Sequence, residues 1–308
     1  MMNTQSMSDS RVTPQVMAPA AVSWSQSFYW SVRRELWENR SIYLAPLTVA
    51  GLFLIGFTIN LIRLRQKFQS TLAAAEQHPH DLLTTRYELA AALIMGTALI
   101  VGIFYSLDAL YGERRDRSIL FWKSLPISDL TAVLSKVAVP LVILPLVSFV
   151  ITITTQFFML LISTVVLAGS GVNMGNLWTE ASFFKVSLII LYHLLTVHGL
   201  WYAPLYGWFF MVSAWASRAP FIWAFLPPFV ISMVEKITFG TPHFASFLLS
   251  RLAGPPAPVS MAPGVHMDIM AELIPVNFFS QPGLWTGLLV AAIFVAIAIR
   301  LRRYRGPI

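Results

Sequence analysis

Two long runs in this sequence, Ile42 to Ile62 and Leu89 to Leu107, contain no charged residue at all. Spanning about 30 Å of hydrocarbon takes roughly 20 apolar residues, because a helical residue rises about 1.5 Å. Lipid offers no water to backbone N–H and C=O groups, so such runs must fold as helices. A third apolar region runs from Val137 to Gly169, ahead of a Gly, Ser and Asn loop, Ser170 to Asn176. The interval Val186 to Val234 holds two more; its only charge is Arg218, set between Ser217 and Pro220 as in a tight turn. The last region is Gly283 to Ile299, with Pro282 at its first turn. Only 11% of the 308 residues are charged and 56% are hydrophobic, too little charge to cover the surface of a soluble domain. The expected fold is all-α: a polytopic membrane protein with six transmembrane helices, at about 42–62, 89–107, 137–169, 186–214, 219–239 and 283–299.

The third region is long for one span and cramped for two, and the charges decide between them. With one helix there, Arg11, Arg33, Arg34, Arg40, Arg114, Arg115, Arg117, Lys123, Lys136, Arg218, Arg300, Arg302, Arg303 and Arg305 share one side. The other side holds Arg63, Arg65, Lys67, Arg86, Lys185, Lys236 and Arg251. Fourteen against seven places both termini in the cytoplasm, whereas a seventh span would carry the Arg-rich end across the bilayer. The cluster Arg63, Arg65, Lys67 runs against this rule, as a helix continuing past the bilayer would. The net charge of +7 therefore reports loop placement and anionic headgroups, not nucleic acid. There is no cysteine, so neither a disulfide framework nor a thiolate metal site is available.

Residues 1–22 are rich in Ser, Pro, Gln and Met and are expected to be a disordered tail. Within 23–40, Trp24, Phe28, Val32 and Leu36 recur at four-residue steps while Arg33 and Arg34 lie elsewhere on the wheel. An amphipathic helix lying in the cytoplasmic interface is predicted there, with Glu35 an exception on its apolar side; a soluble helix packing on a partner is the alternative. Segments 63–88 and 240–281 are assigned to the outer side, the second broken by Pro255, Pro256, Pro258 and Pro263 but with room for a short helix at Met267 to Leu273.

Between the second and third spans, 112–129 mixes dense charge with large apolar side chains: Glu113, Arg114, Arg115, Arg117 and Lys123 beside Ile119, Leu120, Phe121, Trp122, Leu125 and Pro126. Aromatic and Arg side chains are the usual anchors of protein interfaces, so this loop could insert into a groove on a soluble partner. The same composition also suits a segment wetting the membrane surface. At this point the sequence resembles the membrane subunits of ABC type-2 exporters. In that family the second span is followed by an acidic and basic run, here Glu113, Arg114, Arg115. A short apolar helix comes next, here Ile119 to Leu125, ending in Leu-Pro-x-Ser, here Leu125-Pro126-Ile127-Ser128, and then a basic residue as the third span begins, here Lys136. The resemblance covers most of the chain past residue 23. It implies a permease subunit of an ATP-driven exporter in the cell membrane, a bacterial inner membrane. The loop would be the coupling helix that docks on an ATP-binding subunit. Two such subunits and a second copy of the permease, or a homologue, are implied, with ATP and Mg on the ATPase.

This chain itself has no G-x-x-x-x-G-K-[ST] loop, so no catalytic residue and no cofactor is assigned to it. His193 and His198 are five residues apart without a Glu partner, unlike the zinc helix H-E-x-x-H, and no metal site is expected. Glu235 and Lys236 follow Pro227-Pro228 and are candidates because ionisable groups at membrane depth are costly. Thr154 and Gln156, in a polar patch of the third span, and Tyr202 and Trp208, in an aromatic stretch of the fourth, could line a substrate path or hold helices together. Three rivals to the exporter stand: an ATP-independent secondary transporter or channel, an intramembrane enzyme, and an ATPase-coupled mechanotransmission subunit without its own path. Against the first there is no internal repeat and little intramembrane charge. Against the second there is no acid and base pair at usable spacing.

Overall fold

A computed structural model of the protein describes residues 23–70, 79–125, 127–168, 183–255 and 278–308. The expected tail at 1–22, the loop Ser170 to Asn176, the short helix at Met267 to Leu273 and the side chain of Pro126 all lie outside the described residues. Those residues are helical and contain no strand. Five helices are long and apolar enough to cross a membrane, and a bent pair supplies a sixth span if counted as one.

Helix α1, Trp24–Glu38, is capped at its start by Ser23, whose hydroxyl accepts from Gln26 N–H, and at its end by Asn39, whose backbone N–H and side-chain amide both donate to Glu35 O. It packs along α6, Asp129–Ala138, rather than standing free. Phe28, Val32 and Leu36 are half-buried, Leu36 against the core that includes Val133 of α6, while Trp30 and Trp37 are exposed with Arg33 between their rings, 5.2 and 5.3 Å from the two centroids.

The first span lies in α2, Ser41–Ser70, and the second in α3, Pro79–Asp108, so both helices continue into the 63–88 interval that the sequence assigns to an outer segment. Two short helices follow, α4 (Tyr111–Arg115) and α5 (Ser118–Ser124). The third span is one continuous element, Asp129–Leu167, made of α6, a π-helical turn at Val139–Ile143 and α7, Leu144–Leu167. Ser128 caps α6 by accepting from Thr131 N–H, and Asp129 in the first turn favours the positive end of the helix dipole. Pro140 supplies no N–H and crowds the preceding turn, so the hydrogen-bond ladder resets there through the wider π turn.

The bent pair occupies the place where the sequence expects the fourth span. Helix α8, Phe183–His193, passes into a π-helical segment, Leu194–Trp201, and then bends by 45° into α9, Ala203–Trp215, which has Pro204 in its first turn. The two π-helical segments meet at Gly199, where a Cβ would lie 2.8 Å from Leu141 O, closer than real side chains allow. Helix α10, Pro220–Phe239, is the next helix long and apolar enough to span; Ala224 is its only buried residue and most of its other side chains are exposed, as suits a helix with lipid around it, while Phe221, Trp223 and Phe225 meet the rings of Phe104, Trp215 and Phe209. After Gly240 in the left-handed conformation comes α11, His243–Ala253, and the sixth span is α12, Pro282–Tyr304. Helices α9 and α12 form the most extensive pair. The core reaches from Ile42 on α2 through Tyr105, Val133, Val139 and Phe210 to Ala298 on α12. That packing gathers the ends of α3, α9 and α12 with the starts of α2 and α6 at one end of the bundle.

Candidate functional site

At that end the chain buries charge. Glu35 on α1 is 1% exposed, and it lies 2.9 Å from Nζ of Lys136 on α6. Lys136 Nζ is also 3.3 Å from Oε1 of Glu113 on α4, a charge contact without hydrogen-bond alignment. The other carboxylate oxygen of Glu113 accepts from Arg302 on α12 at 3.2 Å. Arg302 in turn donates to Asp129, and Arg34 pairs with Glu35 at 2.5 Å and lies 3.7 Å from Glu113. The Tyr105 hydroxyl donates to Glu35 Oε2 at 2.9 Å. Three carboxylates, Glu35, Glu113 and Asp129, thus face three cations, Arg34, Lys136 and Arg302. Burial alone would raise the Glu35 pKa, but the positive charges of Lys136 and Arg34 outweigh it and hold this carboxyl below the ordinary glutamate value. A buried charge with no partner is strongly unfavourable, so the network holds α1, α4, α6 and α12 to one mutual arrangement.

A second set of contacts sits beside it. Arg114 donates through Nη1 to Ala214 O at 2.8 Å and Ala216 O at 3.1 Å, closing the open carbonyls at the end of α9. Its Nε donates to Gly306 O, and its own carbonyl accepts from Ile308 N–H, which pins the C-terminal residues across α4. Arg305 donates to Trp215 O, and Ser213 Oγ accepts from the backbone N–H groups of Leu110 and Tyr111.

Helix α5 lies over these contacts. Arg117, at φ 58°, turns the chain between α4 and α5. Ile119 points inward and is 1% exposed, whereas Leu120 and Phe121 are 58% and 60% exposed. Trp122 is half-buried beneath Arg34, whose Cζ is 3.7 Å from the ring centroid, with Phe121 edge-on to it at 4.9 Å. Lys123 Nζ donates to Arg303 O and Arg305 O at the end of α12. Leu125 is half-buried, and Arg115 and Arg117 are exposed.

The sequence groups Glu113, Arg114 and Ile119 with the docking surface, and the structure turns all three inward. The outward group is Arg115, Arg117, Leu120, Phe121 and Lys123. Glu35, Asp129, Arg302 and Tyr105 were not singled out as site residues. For Glu35 a signal was present: an acid on an otherwise apolar helix face is costly unless paired.

Of the four residues placed on a path or helix interface, Thr154 is exposed on the outer face of α7, while the neighbouring Thr152, Thr155 and Gln156 take the inner face. Gln156 is buried and donates to Tyr87 O at 3.4 Å. Tyr202 donates to Leu252 O and Trp208 to Ala224 O, both at 3.0 Å, so each ties its span to another helix. Glu235 caps α11, accepting from the N–H groups of His243 and Phe244 and from the Thr241 hydroxyl. His193 and His198 are ring neighbours at 5.9 Å, and among the described residues no three metal-ligating side chains converge. No family model, curated protein or solved structure matches the chain.

Proposed function

We propose that this chain is the permease subunit of an ATP-driven exporter of the ABC type-2 kind, with α5 as the element that docks on a separate ATP-binding subunit. One observation carries the proposal: a short helix exposes Leu120 and Phe121 at the bundle end where most basic residues gather, and its other side is anchored to the spans. A push on α5 would pass through Trp122 to α1, through Lys123 to α12, and through the adjoining α4 to α9 and α6. Both termini lie in the cytoplasm on this proposal, and α1 lies along the inner leaflet with Trp30, Arg33 and Trp37 toward headgroups, in a bacterial inner membrane. With one coupling helix per chain, two copies, or one copy and a homologue, engage two ATPases that carry the ATP and Mg.

A second reading keeps the ATPase and drops the path: a subunit that transmits motion to a membrane partner. It is favoured by the use of Gln156, Tyr202 and Trp208 in bonds between helices, which leaves none of them free to line a path. Affinity purification of the tagged chain from its native membrane tests both. Recovery of a P-loop ATPase with two permease copies per complex supports the proposal; a chain recovered alone, active in transport without ATP, overturns both readings.

A further inference from the structure

At the end of the bundle that holds the ion network, every described acid has a cation. Glu35, Glu38, Asp108, Glu113, Asp116 and Asp129 each stand in an ion pair. Arg117, Lys123, Arg303 and Arg305 do not: no ion pair among the described residues includes any of them. Arg117 precedes the first residue of α5 and Lys123 lies in its last turn, while Arg303 and Arg305 belong to the end of α12 and the chain after it.

These two places are joined. Pro307 has no N–H to offer Arg303 O, and Lys123 Nζ donates to that oxygen at 3.2 Å and to Arg305 O at 3.4 Å. Arg114 Nε donates to Gly306 O at 3.3 Å, and Arg114 O accepts from Ile308 N–H at 3.1 Å. Four bonds from α4 and α5 thus fix the course of 303–308 as a strap. It is apolar as well as basic, because Tyr304 is 74% and Ile308 43% exposed, and it adds these side chains to Leu120 and Phe121 of α5.

Helix ends set the direction in which this surface looks. The last carbonyls of a helix point along its axis, so a donor that reaches them lies beyond the end. Arg114 reaches Ala214 O and Ala216 O at the end of α9, and Lys123 reaches Arg303 O at the end of α12. Helices α4 and α5 therefore cover the ends of two spans instead of lying along them. Ile119 points into the bundle, and Phe121, two residues on, points away from it. Side chains placed past the ends of the spans and directed away from them meet a soluble partner before they meet acyl chains.

We propose that α5 and the strap 303–308 form one docking surface for the ATP-binding chain, and that the matching groove on that chain is apolar at its centre with carboxylates at its rim. The inference rests on the docking reading above, and adds to it a second contact and the charge of the partner. Leu120, Phe121, Tyr304 and Ile308 fill the groove, and the four cations that lack an acid in this chain find one across the interface.

The test recovers the P-loop ATPase with the tagged full chain from native membranes, at about 0.1 M and about 1 M salt. Wild type is compared with Tyr304→Ala, with Arg117→Glu plus Arg303→Glu, and with Arg117→Lys plus Arg303→Lys. The substituted side chains are exposed, and Arg303 meets Lys123 through its backbone oxygen, so the strap keeps its bonds in each variant. Reversal to Glu is expected to lower recovered ATPase about tenfold at low salt, as high salt does for wild type, while the Lys pair recovers as wild type does and Tyr304→Ala falls severalfold. Undiminished recovery by the Glu pair and by Tyr304→Ala, with loss only on Ala at both Leu120 and Phe121, overturns the inference and leaves α5 to dock alone. Equal losses in the Glu and Lys pairs overturn the carboxylate rim. Loss of anionic phospholipid from the Glu pair, with the ATPase retained, assigns the cations to the membrane surface and overturns the inference as well. Absence of the ATPase from wild type itself is a separate failure, which removes the docking reading and this surface with it.

Discussion

Replacing Lys136 with methionine removes the cation that two buried carboxylates share. Lys136 Nζ stands 2.9 Å from Glu35 and 3.3 Å from Glu113, and all three side chains are almost fully buried. Breaking a buried pair by deleting one partner costs about 3–5 kcal/mol, because the remaining charge has lost its compensation. Here Arg34 and Arg302 still face the two carboxylates, which places the loss near the lower end, about 3 kcal/mol. For a chain of this size that is roughly 5–10 °C in Tm. Methionine matches the length and fills the space, so packing alone contributes little. The assay is thermal unfolding of the detergent-solubilised protein followed by fluorescence, for Lys136→Met, Glu35→Gln and the pair together. The double variant should recover part of the loss, with a coupling of about 1–3 kcal/mol between the two sites. A Lys136→Met protein within 1 °C of wild type, or a double variant whose loss is the plain sum of the singles, refutes the network as the bolt between α1 and α6 (roughly the additivity limit for independent sites).

Three further outcomes follow from the same geometry. The Glu35 carboxyl is held below the ordinary value of 4.5, so its contribution is complete above that pH and is lost as pH falls through the lower folded value; Tm of wild type should stay level down to about pH 4.5 and decline beneath it, with a shallower acid decline in Glu35→Gln. Ala at both Leu120 and Phe121 removes only exposed side chains and should change stability by about 0.5 kcal/mol or less, while abolishing co-purification of any ATPase; a comparable fall in Tm would show instead that they belong to the fold. Gly199→Ala sets a Cβ 2.8 Å from a backbone oxygen that cannot rotate away, and about 1–3 kcal/mol of destabilisation should appear in the same melts, whereas Gly56→Ala, with open space around it, should melt within about 0.5 kcal/mol of wild type.

The spans were legible because lipid leaves a charge-free run no alternative to a helix; the distortions at Pro140 and ahead of Pro204 come from the structure. The form of that distortion was not legible. Whether a proline kinks a helix or resets it through a π turn depends on what packs against it, and here each π segment has the other as its neighbour, through Gly199 and Leu141. The loop between the second and third spans announced itself by carrying both charge and aromatics, but its two sides could not be separated by composition. Arg114 and Arg115 are adjacent and chemically identical, and only the position of the α9 carbonyls makes one a buried cap and the other a surface charge. Glu35 counted against an amphipathic helix in the sequence because its partner, Lys136, is distant along the chain. Charge pairing across that separation carries no local periodicity. Arg251 was merely one of the outer-side charges, and its burial depends on a glycine on another helix.

The most direct measurement is site-specific photo-crosslinking in native membranes, with the reactive residue at position Phe121 and, as a control at the opposite end of the bundle, at Leu249. Crosslinking from the first position to a P-loop ATP-binding chain, lost when that chain is absent and never seen from the second, is the expected result. Crosslinks from Phe121 to lipid alone, with no protein partner from either position, would contradict α5 as a docking element and leave it a membrane-surface helix.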